Sequence, residues 1–337
     1  MSFFRRTIED NRFTPENIAV FEAKLFFKGT NRRVDLEQYA VLLFLSTVIA
    51  TCGVIGDSAA IVIGAMLIAP LMRPIMATAA GLVTGNMKRG GASFMVVLAS
   101  VAAVIGLAWL LTELSVITVI SIESNAQFTA RISPRLIDLY AALASGAAGA
   151  FAMSRDDVSD SLPGVAIAVS LVPPLCVVGI GLAEGQWASA GSAFLLFLTN
   201  FLSILLAGGG VLALLGLSAV TIKGLNLSAR RRAFIFIAIV TVLVTIPLGR
   251  TTVNVYQQKL LKRETIQMAG EWIAGTDYGI REVDVRGNQV TLAIYGSGER
   301  PELSELGKQL TESLDQPVDL KLFVVPSAQE TYIAERQ

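Results

Sequence analysis

IVIGAMLIAPL at residues 61–71 and VAIAVSLVPPL at residues 165–175 are two apolar segments that both run into proline, and their relation decides how this chain is organised. Aligned at an offset of 104, Ile63 meets Ile167, Leu67 meets Leu171, Ile68 meets Val172, Pro70 meets Pro174 and Leu71 meets Leu175. Matches among Ile, Leu and Val are common between apolar helices; an aligned proline is not. Each segment is the middle member of three consecutive apolar runs, 39–56, 58–85 and 92–112 in the first set and 136–153, 162–183 and 190–216 in the second. The third members share Gly91, Phe94 and Leu98 with Gly191, Phe194 and Leu198. About 20 predominantly apolar residues cross a bilayer as a helix, so each run is a predicted crossing, and a further run at 233–249 makes seven. Three crossings per copy is an odd number, so the second copy has to pass through the membrane upside down relative to the first.

The expected fold is therefore an all-α polytopic membrane protein: a segment at 1–38, a three-helix repeat at 39–112, its inverted copy at 136–216, a seventh span at 233–249, and a soluble domain from 251 to 337. Composition supports the membrane assignment. Of the 337 residues 53% are hydrophobic and 16% charged, against roughly a quarter charged in average soluble domains. The formal net charge is zero, which speaks against nucleic acid as a partner. There is no histidine, which removes the commonest general base, metal ligand and near-neutral switch. Cys52 and Cys176 lie inside apolar runs and read as buried hydrophobes, neither a disulfide nor a metal pair. No enzyme activity, cofactor or metal is expected.

The basic residues set the orientation. Segment 1–38 holds seven Lys or Arg, and Lys88, Arg89, Arg155, Lys223 and Arg230 to Arg232 lie in connections on the same side, whereas the opposite connections hold only Arg131 and Arg135. Positive charge stays inside, so the N-terminus is expected in the cytoplasm of a bacterial inner membrane and the C-terminal domain outside it. The first 38 residues lack the short apolar core and cleavage site of a removable signal peptide. Thr14, Pro15 and Glu16 open a helix over 14–27 with Ile18, Phe21 and Leu25 on one face, lying on the membrane surface or packed on the protein.

In the tail, 256–273 suits a helix, and REVDVRGNQVTLAIYG at 281–296 alternates apolar residues around Gly287-Asn288, a hairpin signal. Pro301 opens a helix with Leu303, Leu306, Leu310 and Leu314 on one face, and Val318, Leu320, Leu322 and Val324 alternate as a third strand. The order helix, strand, strand, helix, strand gives a small two-layer α+β domain.

Candidate site residues follow from the interrupted helices. Inverted repeats whose matching helices are broken by Pro or Gly point to a transport path, because a proline frees backbone groups that lipid cannot satisfy. Gly64, Pro70 and Pro74 in the first copy and Ser170, Pro173 and Pro174 in the second are the expected ion path. Arg73 is a formal charge well within a span. It either grips an anion or lies beyond the helix end at a headgroup. Asn200, beside Thr199, either lines the path or makes an interhelical hydrogen bond. Asp156, Asp157 and Asp160 form an acidic loop that attracts cations or is simply solvated. The small residues of GLVTG (81–85) and SGAAGA (145–150) let helices approach closely.

Three ordered motifs carry a family resemblance: IGAMLIAPLMRPI at 63–75, DLYAALASGAAGAFA at 138–152 and VAIAVSLVPPLCVVGIGLA at 165–183. They resemble the hydrophobic membrane family known as domain of unknown function 389, found in bacteria including cyanobacteria, over about residues 40–220. The resemblance implies a membrane protein and names no substrate or reaction. The family pattern has glycine (PLMGP) where this chain has Arg73, a departure that either tunes selectivity or is tolerated. The expected function is a transporter or channel for a small ion, an anion slightly favoured, acting as a homo-oligomer in the lipid bilayer. The alternative is a non-transporting scaffold or envelope sensor working through its C-terminal domain.

Overall fold

The computed structural model describes residues 9, 11–27, 32–115, 124–155, 171–217, 227–286, 289–298, 301–314 and 317–326. Ser170, the upstream part of the 162–183 run, the Asp156, Asp157 and Asp160 group and the Gly287-Asn288 turn lie outside them. The chain divides into two compact units, Met1–Gly249 and Arg250–Gln337.

The first unit is helical: α1 Pro15–Leu25, α2 Arg32–Ile55, α3 Ala59–Ile68, α4 Met72–Val83, α5 Met87–Leu114, α6 Ala126–Ile132, α7 Leu136–Met153, α8 Val172–Ala183 and α9 Trp187–Leu214. Among the described residues α2, α5, α7 and α9 are long and apolar enough to cross a membrane. The pair α3 and α4, bent by 50° at its break, makes a fifth if counted as one broken span. The predicted run 58–85 is thus interrupted, as its proline implied. α10, Leu227–Trp272, is one helix of 46 residues that takes in both the predicted span 233–249 and the predicted helix 256–273.

The two short helices α4 and α8 form the centre of the first unit. Each has twelve residues, of which ten are buried, whereas α3 buries only Val62, Ala65 and Met66 and exposes Ile61, Ile63 and Leu67. A helix that is apolar all round belongs in an interior; one with an exposed apolar face belongs against lipid or another subunit. Each short helix leads into a helix of 28 residues, α5 or α9, through a turn with glycine in the left-handed region, Gly85 at φ 68° and Gly185 at φ 69°.

These boundaries place the two hairpins one hundred residues apart. Pro74, Gly81, Gly85, Gly91, Phe94 and Leu98 fall in register with Pro174, Gly181, Gly185, Gly191, Phe194 and Leu198. The proline partner of Pro174 is therefore Pro74, and the offset of 104 that paired it with Pro70 slips by one helical turn. The reason lies in the helix start. Pro74 and Pro174 both occupy the first turn of their helices, where N–H groups have no intrahelical acceptor and proline is tolerated. Pro70 stands just before α4, in the break itself.

Glycine sets the distances of closest approach. A methyl on Gly81 would lie 2.4 Å from the Cα of Gly90, one on Gly146 of α7 would lie 2.7 Å from the Cα of Ile204 of α9, and one on Gly179 of α8 would lie 2.6 Å from the Ile105 oxygen of α5. The small residues of 81–85 and 145–150 thus do the packing that their spacing predicts. Two buried cores join these helices, the larger containing Leu71, Ile75, Met76, Leu171, Leu175 and Cys176.

The N-terminal segment is tied to the ends of three helices. The Phe13 N–H donates to the Leu215 carbonyl at the end of α9 (3.0 Å), Arg155 after α7 pairs with Asn11, and Arg89 at the start of α5 pairs with Glu22 of α1 (2.7 Å). At the other ends, the Asn125 amide donates to the Val54 carbonyl (2.7 Å) and Asp57 accepts from the Gln127 N–H (2.8 Å), fixing α6 to the turn between α2 and α3.

The second unit contains the C-terminal part of α10, β1 Gly279–Arg286, β2 Gln289–Gly296, α11 Leu303–Leu314 and β3 Asp319–Pro326. β2 is central, antiparallel to β1 and parallel to β3. Parallel pairing needs a crossover, which α11 supplies. Val290, Leu292 and Ile294 of β2 alternate inward against Leu306 and Leu310 of α11 and Ala269 and Trp272 of α10.

Candidate functional site

The break between α3 and α4 is built by its own sequence. α3 ends at Ile68, and Pro70 has no N–H to offer the Met66 carbonyl, so the helical ladder cannot continue through it. The chain re-enters helix at Met72, with the Arg73 N–H on the Pro70 carbonyl at 3.3 Å. A cavity of about 680 Å³ opens beside this break. Its walls are Leu67, Ile68, Ala69, Pro70, Met72 and Arg73 of the break, Asp35, Gln38, Tyr39 and Leu42 of α2, and Val20, Ala23 and Lys24 of α1, with Met153 of α7.

Arg73 is held on two sides. Its Nη2 donates to Asp35 Oδ2 at 3.1 Å, and its guanidinium carbon stands 4.2 Å from the centroid of the Phe27 ring. Both partners of the ion pair keep somewhat more than a quarter of their side-chain surface exposed, and Arg73 Nε is buried with no hydrogen-bond partner among the described residues. Phe27 meets the Tyr39 ring edge-on at 5.5 Å, and the Tyr39 hydroxyl shares a 2.7 Å hydrogen bond with Ser100 Oγ on α5, which also donates to the Val96 carbonyl. Asp35 is the fourth residue of α2, so the cation sits near the end of that helix, with a counter-charge.

The other predicted residues are not all gathered here. Pro70 and Arg73 line the cavity. Pro74, Pro173 and Pro174 are buried in the first turns of α4 and α8. Gly64 lies on α3 with open space where a side chain would stand. Asn200 is buried in α9 among Thr199, Phe201 and Ser203, at the position that matches Ser100 one hundred residues earlier. Asp35, Lys24 and Tyr39 are the site residues that the sequence left unmarked. Asp35 falls just outside the predicted span 39–56, and only its spacing from the apolar run, one turn before it, hinted at a role. Outside the spans, Arg131 of α6 folds back on the Gln127 carbonyl and side chain, and burial pushes its guanidinium below its ordinary range.

The sequence profile of the family described as domain of unknown function (DUF389), the family that the motifs resemble, matches residues 66–206, from the last turn of α3 into α9. An uncharacterized protein of the archaeon Methanocaldococcus jannaschii is 30% identical over 182 residues, 54% of this chain and 55% of that protein. The chain thus spans about half the length of the curated relative it matches.

Proposed function

We propose that this protein, with its DUF389 domain, is a membrane transporter or channel for a small ion, whose path runs between the broken helix α3–α4 and its counterpart ending in α8. The observation that carries the reading is the matched pair of buried short helices, α4 and α8, each beginning at a proline-bearing first turn and each leading through a left-handed glycine into a long helix. In lipid, irregular backbone is tolerated only where protein or a cavity surrounds it. Paired interruptions of this kind mark ion and substrate sites in repeat-built transporters.

The two hairpins belong to a three-plus-three inverted repeat with α10 carrying a further span. The N-terminus lies in the cytoplasm of a bacterial plasma membrane and the C-terminal unit outside. The contacts of the N-terminal segment support that orientation: Asn11, Phe13 and Glu22 meet the end of α7, the end of α9 and the start of α5, which the charge distribution assigns to one side. The helix starts of α4 and α8 carry a partial positive charge, which favours an anion. Arg73 contributes less, because Asp35 already faces it. The exposed apolar face of α3 and the small-residue faces suit a homo-oligomer. No covalent chemistry is involved.

Purified full-length protein reconstituted in sealed liposomes tests the reading by flux of chloride, nitrate, potassium and sodium down imposed gradients. Selective flux, reduced by Pro174→Leu and Pro74→Leu in protein that still elutes as folded, is the expected result. Absence of flux for all of these ions favours the scaffold reading. Arg73→Glu with unchanged selectivity removes Arg73 from the path.

A further inference from the structure

We propose that the groove between the starts of α2 and α5 binds one anionic phospholipid, its phosphate held by Arg32 and Lys88, an ester carbonyl by the Ser93 hydroxyl and an acyl chain along Leu36 and Val96. The inference rests on this groove and not on the transport reading.

A cavity of about 530 Å³ lies there, and its wall holds three cations, Arg32, Lys88 and Arg89, and no carboxylate. The carboxylates of the adjoining helix ends are already engaged. Glu22 pairs with Arg89, Asp35 with Arg73 and Glu37 with Arg33. Arg32 and Lys88 make no ion pair among the described residues. Each also stands in the first turn of its helix, where the helix dipole opposes a cation and favours an anion. Positive charge therefore gathers at this place without a neutralising group from the protein.

Ser93 is an independent sign of a ligand. It is 7% exposed and lines the cavity, and its hydroxyl has no hydrogen bond among the described residues. Further along α5 the hydroxyls of Ser100 and Thr112 each donate to the carbonyl four residues back, so the Ser93 hydroxyl is left for an acceptor from outside. Ser93 lies five residues beyond Lys88, about 7.5 Å along the helix. Phosphate and then ester carbonyl follow in that order in a glycerophospholipid entering from its headgroup.

Depth agrees. α2 and α5 are long and apolar enough to cross a membrane, so cations at their starts lie at the level of the headgroups. Leu36 is one turn beyond Arg32 and Val96 two turns beyond Lys88, which runs the apolar wall inward from the charge. Basic pockets at that level select anionic headgroups. A free inorganic anion at the helix starts would leave Ser93 and the apolar wall without an occupant.

The test uses the purified full chain in mild detergent, with dioleoyl phosphatidylglycerol and dioleoyl phosphatidylcholine added in equal amounts and bound lipid counted by native mass spectrometry. Each unpaired cation near a headgroup contributes about fivefold, so the two together predict about a 25-fold preference for phosphatidylglycerol. Arg32→Gln and Lys88→Gln each lower that preference about fivefold. Arg12→Gln, which removes an exposed cation outside the cavity, leaves it unchanged. Ser93→Ala lowers retention of both lipids at an unchanged preference. Ala92→Trp fills the cavity without altering charge and removes bound lipid of both kinds. Arg32, Lys88 and Ala92 are exposed, so these variants keep the fold. Preference unaltered in the Arg32 and Lys88 variants, or retention unaltered by Ser93→Ala or Ala92→Trp, overturns the proposal. An equal fall in Arg12→Gln overturns it in favour of diffuse surface attraction, and displacement of phosphatidylglycerol by millimolar inorganic phosphate in favour of a free anion. Wild-type protein that retains no lipid overturns it outright.

Discussion

At the scale of single residues, the Arg73 and Asp35 pair is the most informative contact. A partly buried ion pair with one hydrogen bond is worth about 1 kcal/mol, and the ring of Phe27 adds a fraction of that. Arg73→Gln and Asp35→Asn are each expected to lower the thermal midpoint of detergent-solubilised protein slightly. In a double-mutant cycle their coupling should be about 1 kcal/mol; additive effects would show that the pair does not form. Arg73 was legible in the sequence as a charge well inside an apolar run. Its partner was not, because Asp35 lies 38 positions earlier and the hydropathy signal of α2 begins after it. Helices tolerate polar residues in their first turns, so α2 starts at Arg32, seven residues before the apolar run at 39.

Elements add the packing between helices. Gly179 sits against the α5 backbone with no room for a side chain. Gly179→Val is expected to destabilise the bundle by about 1–3 kcal/mol through overpacking, seen as a lower midpoint in thermal unfolding. Gly64→Ala, where nothing stands within 4 Å, should leave stability unchanged or raise it by about 0.5–1 kcal/mol, because glycine weakens a helix interior. Loss of ion flux in a Gly64→Ala protein of normal stability would assign that position to the path. The small-residue motifs announced these contacts. The register of the two hairpins was less legible. An alignment of apolar segments rewards any proline on any proline, and Pro70 and Pro74 stand one helical turn apart. The helix starts decide between them, since Pro74 and Pro174 share a structural position and Pro70 does not.

For the molecule as a whole, composition and run length marked the chain as rich in apolar helices, of which four among the described residues are long enough to cross a membrane, and alternation located the strands of the second unit. The ties between the N-terminal segment and three helix ends had no sequence signal, because each joins groups far apart in the chain. The core of the second unit makes its own prediction. Leu310 is fully buried between helix and sheet, so Leu310→Ala should cost about 2–5 kcal/mol and speed hydrogen exchange of the β2 amides in the full chain without altering that of α9.

The transport reading depends most on the two hairpins running in opposite directions through the bilayer. Lys88 and Ala188 occupy matching exposed positions at the starts of α5 and α9. Single cysteines placed there, Lys88→Cys or Ala188→Cys in a chain with Cys52→Ser and Cys176→Ala, can be probed with a membrane-impermeant maleimide on sealed right-side-out membrane vesicles. The account predicts that position 188 labels from outside while position 88 labels only after the membrane is permeabilised; labelling of both from the same side would contradict it.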